Sequence, residues 1–229
     1  MTALSIIVPV LDEANDIGAC LRSLGPLRQR GVEVIVVDGG SADATVTLAG
    51  PLADRVMVAP RGRASQMNAG AREARGAALL FLHADTRLPP EADRLVVSAL
   101  GTAAWGRFDV RIDGVSAGLQ IVAAFMNARS RLTGIATGDQ AIFVRRAVFE
   151  GLGGFPEMEL MEDVTLSQRL RAVSAPACLR ERVATSGRRW DRHGILRTAV
   201  LMWRLRFAYW RGADPSDLAR RYGTHPTSR

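Results

Sequence analysis

The sequence predicts an α/β fold in which a mostly parallel central sheet is flanked by helices. Four apolar runs fall within the first hundred residues: LSIIVPV (4–10), VEVIVVD (32–38), RVMVAP (55–60) and ALLFLH (78–83). Segments of helical character separate them, which is the order of a parallel sheet covered on both faces. Acidic and imidazole side chains stand at the carboxyl ends of three runs, as Asp12-Glu13, Asp38 and His83-Asp85. In such sheets ligands bind beyond those ends.

The connecting segments follow in order. A polar helix is expected over about 13–24, ending near Gly25-Pro26, and Ser41-Ala42-Asp43 opens a short second helix with an N-capping side chain. A third helix spans 64–75, and a fourth spans 89–100 with Pro in its first turn. Beyond residue 100 the pattern changes. WGRFDVRID (105–113) alternates as a half-exposed strand, 116–132 is an apolar helix or lid, and 137–155 reads as loop, strand, helix and Gly turn. MEDVTLSQRLRA (161–172) is a helix with two carboxylates in its first turn.

The segment 190–211 is a basic, aromatic, amphipathic helix. Such a helix either lies in a membrane interface or covers the main domain with its apolar stripe, and packing is the preferred reading. The expected organisation is one main domain, 1–190, with a C-terminal helical appendage, 191–229.

Bulk properties narrow the function classes. The chain has 229 residues, 48% hydrophobic and 23% charged, an ordinary globular balance. The net charge of +7 suggests an anionic partner, but every one of the 30 basic residues is Arg, so the charge reflects composition bias as much as phosphate binding. No nucleic-acid-binding module is recognisable, and nucleic acid is not expected as a partner. Cys20 and Cys178 are too few for a disulfide framework or a zinc site. The first residues read as a strand rather than a signal peptide, and no run reaches the roughly 18 apolar residues of a membrane span. A cytoplasmic protein is expected, with a peripheral position at the inner face of a membrane left open by the C-terminal helix.

Several residues carry chemistry in two readings each. Asp85 is either a turn former or a hard oxygen ligand for Mg²⁺ or Mn²⁺, with His83 two residues earlier directed to the same side. Asp38, before Gly39-Gly40-Ser41, is either a turn residue or part of a ligand-binding loop. Glu162-Asp163 either complement a helix dipole or supply a general base for an acceptor hydroxyl.

Taken together these segments resemble the family 2 glycosyltransferases with the GT-A fold, over roughly residues 4 to 172. SIIVPVLDEA (5–14) is similar to the family's opening strand, and VIVVDGGSADAT (34–45) to its second-strand signature. GRASQMNAGAREARG (62–76) resembles its third-helix segment, HAD (83–85) stands at its Asp-x-Asp site, and MED (161–163) at its acceptor-side acidic motif. FLHADTRLP and GDQAIFVRR further resemble a bacterial subgroup named for radical-SAM/selenodomain systems.

The resemblance implies a role for each matching position. Pro9, Glu13, Asp38, Asn68 and His83 would bind the donor nucleotide, with Asp38 at the base, and Arg189 with Arg188 could clamp its diphosphate because guanidinium matches phosphate oxygens. Asp85, joined by His193, would hold a divalent cation, Mn²⁺ or Mg²⁺. Asp163, beside Glu162, would take the acceptor's proton. His83 replaces the first Asp of the motif, a departure bearing on nucleotide preference and metal stringency. The implied reaction is inverting transfer from a nucleotide-diphospho-sugar to a hydroxyl acceptor, lipid-linked if the tail meets a membrane. A non-catalytic nucleotide-binding protein on the same fold remains an alternative, favoured by His83 and opposed by Glu162-Asp163. A sugar-1-phosphate nucleotidyltransferase is disfavoured because VPVLDEAND lacks a Gly-rich basic loop.

Overall fold

The computed structural model describes residues 3–223. One eight-stranded sheet, in the order β3-β2-β1-β4-β7-β6-β8-β5, runs through the molecule. Its strands are β1 (Leu4–Val10), β2 (Glu33–Asp38), β3 (Arg55–Val58), β4 (Ala78–Phe81), β5 (Thr86–Arg87), β6 (Trp105–Asp113), β7 (Phe143–Arg145) and β8 (Ala177–Ser186). β1 pairs in parallel with β2 and with β4, and β2 with β3, as the four apolar runs predict.

Side-chain alternation splits the core into two layers. Ile6, Val8, Val34, Val36 and Leu80 face one side, with Leu21 and Leu24 of α1 (Ile17–Gln29). Ile7, Ile35, Val37, Leu79 and Phe81 face the other, with Met67 and Ala71 of α3 (Arg63–Glu73). α3 lies so close to the sheet that a Cβ at Gly70 would stand 2.6 Å from Cγ2 of Ile7.

Helix α1 differs from expectation at both ends. Residues before Ile17 form a turn in which Asp12 takes a left-handed conformation (φ 54°). The helix then continues through Gly25 and Pro26, because buried Leu24 and Leu27 anchor its last turns. Packing outweighs the one backbone hydrogen bond that proline removes. The remaining helices of the first half are α2 (Thr45–Ala49) and α4 (Ala92–Ala99).

β6 corrects the expectation of a half-exposed strand. Its alternating charges suggested a solvent face, yet Arg107 is fully buried and Asp109 nearly so. Arg107 pairs with Asp109, and Asp109 accepts a further bond from Arg131 at 2.7 Å on α5 (Leu119–Thr133). A charge pair covered by a helix is indistinguishable in sequence from one facing water.

β8 was not foreseen. Its ACLRERVATS sequence carries exposed charges at its centre, but its backbone pairs in parallel with β6 along most of its length. β7 lies antiparallel between β4 and β6 and leads into α6 (Arg146–Gly151).

The C-terminal segment is not one helix. Gly194 (φ 81°) breaks it into α8 (Arg188–His193) and α9 (Ile195–Trp210), and α10 (Pro215–Tyr222) follows, its N-terminus capped by Asp214. Leu205 and Leu218 of α9 and α10 pack on Leu160, Met161 and Val164, the last belonging to α7 (Glu162–Val173). Residues 224–229 of the expected appendage lie outside the described residues. Among the described residues, no helix is long and apolar enough to cross a membrane.

Candidate active site

The carboxyl ends of β1 and β4 open onto one cavity of about 230 Å³, lined by Pro9, Glu13, Arg63, His83, Asp85, Asp139, Arg189 and Tyr222, among others. Behind it lies a smaller chamber of about 100 Å³, lined by Glu162 and Asp163 and sharing Arg63, His83, Asp139 and Tyr222. Seven of the ten residues expected at a site thus line two adjoining spaces.

β4 ends at Phe81, so His83 and Asp85 reach the cavity from a turn rather than by alternation along a strand. The amide of Thr86 donates to the His83 carbonyl at 3.0 Å and closes that turn. The imidazole Nδ1 lies 3.4 Å from Asp139. A Cβ at Gly138 would collide with Nε2, so glycine is needed there for the ring to fit. Burial pushes the Asp139 carboxyl up, but the His83 hydrogen bond and the charges of His83 and Arg63 hold it below its ordinary value.

Asp85 is about one-third exposed, with a guanidinium nitrogen of Arg188 4.0 Å away. Arg188 is itself anchored to Asp16 at 2.6 Å. Burial, and then the charges of Asp85 and Asp16, raise the pKa of Glu13. These carboxylates are hard oxygen donors, but no cluster of three or more His, Cys, Asp or Glu fit for a metal occurs among the described residues. The set suits Mg²⁺ or Mn²⁺, which commonly bind one or two carboxylates and complete their shell with substrate phosphates and water.

Glu162 and Asp163 begin α7, directly after Met161 in the left-handed conformation (φ 70°). Asp163 accepts the amides of Gly138 at 2.8 Å and of Val164 at 2.7 Å. Its oxygens therefore brace the Gly138 turn. Glu162 is buried with Arg63 at 4.0 Å. Burial first, and the Asp163 charge second, raise its pKa to about 7, against the pull of Arg63. Among the described residues, the non-glycine residues at positive φ are Asp12, Ala141 and Met161, and each stands beside a segment of the candidate site. Such strain persists where surrounding structure fixes it, commonly at functional sites.

Three expected residues are not brought to the cavities. The Asp38 carboxylate accepts the amides of Gly40 and Ser41, both at 2.9 Å, together with the Ser41 hydroxyl, so it holds its turn. The Asn68 amide donates to the Phe155 carbonyl at 2.9 Å and to Glu157 at 3.0 Å, while its oxygen accepts the Phe155 amide. It joins α3 to the loop before α7. His193 is exposed at the end of α8 and does not meet Asp85.

Residues 5–150 match glycosyl transferase family 2. The chain belongs to that family. It is 39% identical over 98 residues to the PGL/p-HBAD biosynthesis glycosyltransferase of Mycobacterium tuberculosis, covering 40% of this chain and 38% of that protein. The alignment thus spans well under half the length of the curated relative. Among solved structures, TarS 1-349 of S. aureus in complex with UDP-GlcNAc superposes with a TM-score of 0.64 at 18% identity, covering 80% of this chain and 58% of that one. The mannosyltransferase PcManGT of Pyrobaculum calidifontis, in complex with GDP-Man and Mn²⁺, gives 0.64 at 20% identity, covering 96% and 68%. Those likenesses show that this family 2 chain has the GT-A type of fold.

Within these cavities, sequence reading gave no role to Arg63, Tyr222 or Met202, and placed Asp139 only at the border of the sugar or acceptor, without a chemical role. Arg63 and Asp139 lie inside quoted motifs, but abundant Arg hid the first and nothing in GDQ marked the second as the partner of His83. Tyr222 and Met202 arrive from the C-terminal helices and left no local signal. Arg189 reaches the cavity, yet it donates to the Tyr222 carbonyl at 2.7 Å and stacks on the Tyr222 ring.

Proposed function

We propose that the protein is an inverting, metal-assisted glycosyltransferase that moves a sugar from a nucleoside-diphosphate donor to a hydroxyl acceptor. Through FLHADTRLP and GDQAIFVRR we also assign it to the radical-SAM/selenodomain-associated subgroup. The observation that carries the mechanism is the meeting of two chambers at His83 and Asp139. One offers Asp85, Glu13 and Arg189 to a diphosphate, and the other offers a carboxylate whose pKa is about 7.

In this reading the donor lies across the ends of β1 and β4, with its base toward the turn that Asp38 holds. Asp85, with Glu13 beside it, would hold the divalent cation, which supplies positive charge to the diphosphate as it leaves. Arg189 is pre-oriented by Tyr222 and presents further positive charge to the phosphates. Glu162 accepts the proton of the acceptor hydroxyl while that oxygen bonds to the anomeric carbon. The bond from this carbon to the diphosphate oxygen breaks, and its electron pair departs with the nucleotide. Asp163 positions the Gly138 turn, and Asp139 on that turn holds the His83 ring.

A carboxyl with a pKa near 7 suits this work at neutral pH, since it is deprotonated often enough to act and basic enough to take a proton. Support also comes from the donors bound by the structural neighbours, a uridine and a guanosine nucleotide-sugar. Calorimetric titration of UDP, GDP, dTDP and CDP, with and without Mn²⁺, tests the donor side on wild type and Asp85→Ala. Metal-dependent binding of one nucleotide, lost in the variant, is the expected result. Binding of none by folded protein removes the proposal.

A further inference from the structure

Beyond the two chambers, an open cleft of about 610 Å³ lies among α5, α7, α9 and the start of α10. Two arginines, Arg129 of α5 and Arg206 of α9, line it, and no carboxylate does. Nε and Nη2 of Arg129 are buried and have no hydrogen-bond partner among the described residues. A guanidinium held this way is costly unless an anion answers it. Burial, and then the neighbouring charge of Arg206, push its pKa down to about 10 against the pull of Asp163. Val164 and Arg206 line both this cleft and the Glu162 chamber.

The surface beside the cleft is equally unusual. Leu196, Val200, Trp203, Phe207 and Trp210 recur at intervals of three and four along α9, which places them on one helical face. That face is turned to solvent, with Trp203 71% and Trp210 78% exposed, while Leu205 on the opposite side packs inward. Ile121, Phe125 and Leu132 of α5 are exposed in the same way. Five arginines and no carboxylate lie between Asp191 and Asp214. Trp, Phe and Leu flanked by Arg form a surface suited to an anionic bilayer interface. A second copy of the chain fits less well, because facing copies would bring like charges together.

We propose that Arg129 and Arg206 bind the phosphate group of an anionic lipid whose apolar part lies along the exposed stripe of α9. That this lipid is the acceptor, its hydroxyl entering the Glu162 chamber past Arg206, rests on the transferase reading. The phosphate subsite and the docking surface do not.

Vesicle flotation tests the proposal without any need for turnover. Wild type is expected to float with phosphatidylcholine and phosphatidic acid mixed four to one, and poorly with phosphatidylcholine alone. Arg129→Gln breaks no hydrogen bond at Nε or Nη2 and should weaken this binding on the order of tenfold, the usual loss of one charge-assisted contact. Arg94→Gln, which removes an exposed arginine paired with Glu91, should leave it unchanged. Trp203→Ser with Trp210→Ser should abolish flotation yet retain calorimetric binding of glycerol 3-phosphate.

Equal flotation of wild type and Arg129→Gln, or an equal loss in Arg94→Gln, overturns the subsite in favour of diffuse charge. Glycerol 3-phosphate bound at Arg129 by protein that never floats overturns the lipid source. Self-association that depends on Trp203 and Trp210, without flotation, overturns it in favour of a second chain. Nucleotide titrations on the same samples separate this proposal from the donor reading. Arg129-dependent flotation by protein that binds no nucleotide would keep the lipid site and remove the transferase.

Discussion

Glu162→Gln should disable the enzyme and stabilise it at the same time. The carboxyl rises from 4.5 to about 7 in the folded chain. That is about 2.5 units, and at about 1.4 kcal/mol per unit the ionised side chain costs the fold about 3 kcal/mol. The folded state binds the proton more tightly than the unfolded chain does. The stability tied to this proton is therefore complete below pH of about 4.5 and is lost as pH rises to about 7. Glutamine is nearly isosteric and never ionises, so the variant should match wild type in acid and exceed it by up to about 3 kcal/mol above neutrality. Transfer should fall on the order of 10²–10⁴-fold, the usual contribution of a general base. Urea denaturation at pH 5 and pH 8, paired with the pH profile of transfer by wild type, measures both. A glutamine variant less stable than wild type at pH 8 would refute the burial argument, and full activity in it would refute the role.

Two further predictions concern the frame around the site. Asp109→Ala leaves Arg107 buried without its carboxylate and should cost about 3–5 kcal/mol in urea denaturation. Replacing both, as Arg107→Met with Asp109→Leu, should recover much of that loss, because an apolar pair needs no partner. Gly70→Ala would place a methyl 2.6 Å from Ile7 and 2.9 Å from Val37. It should cost about 1–3 kcal/mol and lower Tm, with Asn68 and its link to Phe155 displaced in the same move.

The parallel half of the sheet was legible because its signal is local. Ile6, Ile7, Val34, Ile35, Leu79 and Leu80 are buried on both faces, and continuous apolar runs mean that in any sheet of this kind. That Glu13, His83, Asp85, Glu162 and Asp163 would gather on one rim was legible for the same reason, since each stands near the end of an element that the pattern marks. Asp38 and Asn68 stand in equally recognisable motifs, but motif position does not reveal which partners consume their polar atoms. In the fold those partners are Ser41 and Phe155.

What stayed hidden depends on contacts between distant segments. β8 is held by backbone pairing to β6, which side-chain patterning does not record. Arg107 and Asp109 read as a wet face until α5 covers them. Sequence by itself determined the α/β frame, the family and the rim on which the candidate site residues stand, because strand burial and strand ends are properties of short stretches. Only the tertiary structure decided that Asp163 accepts two backbone amides while Glu162 is buried beside Arg63, that Asp139 meets His83, and that two nitrogens of Arg129 are buried without a hydrogen-bond partner among the described residues. Each of those depends on the desolvation and charge created when residues far apart in the chain close around one space.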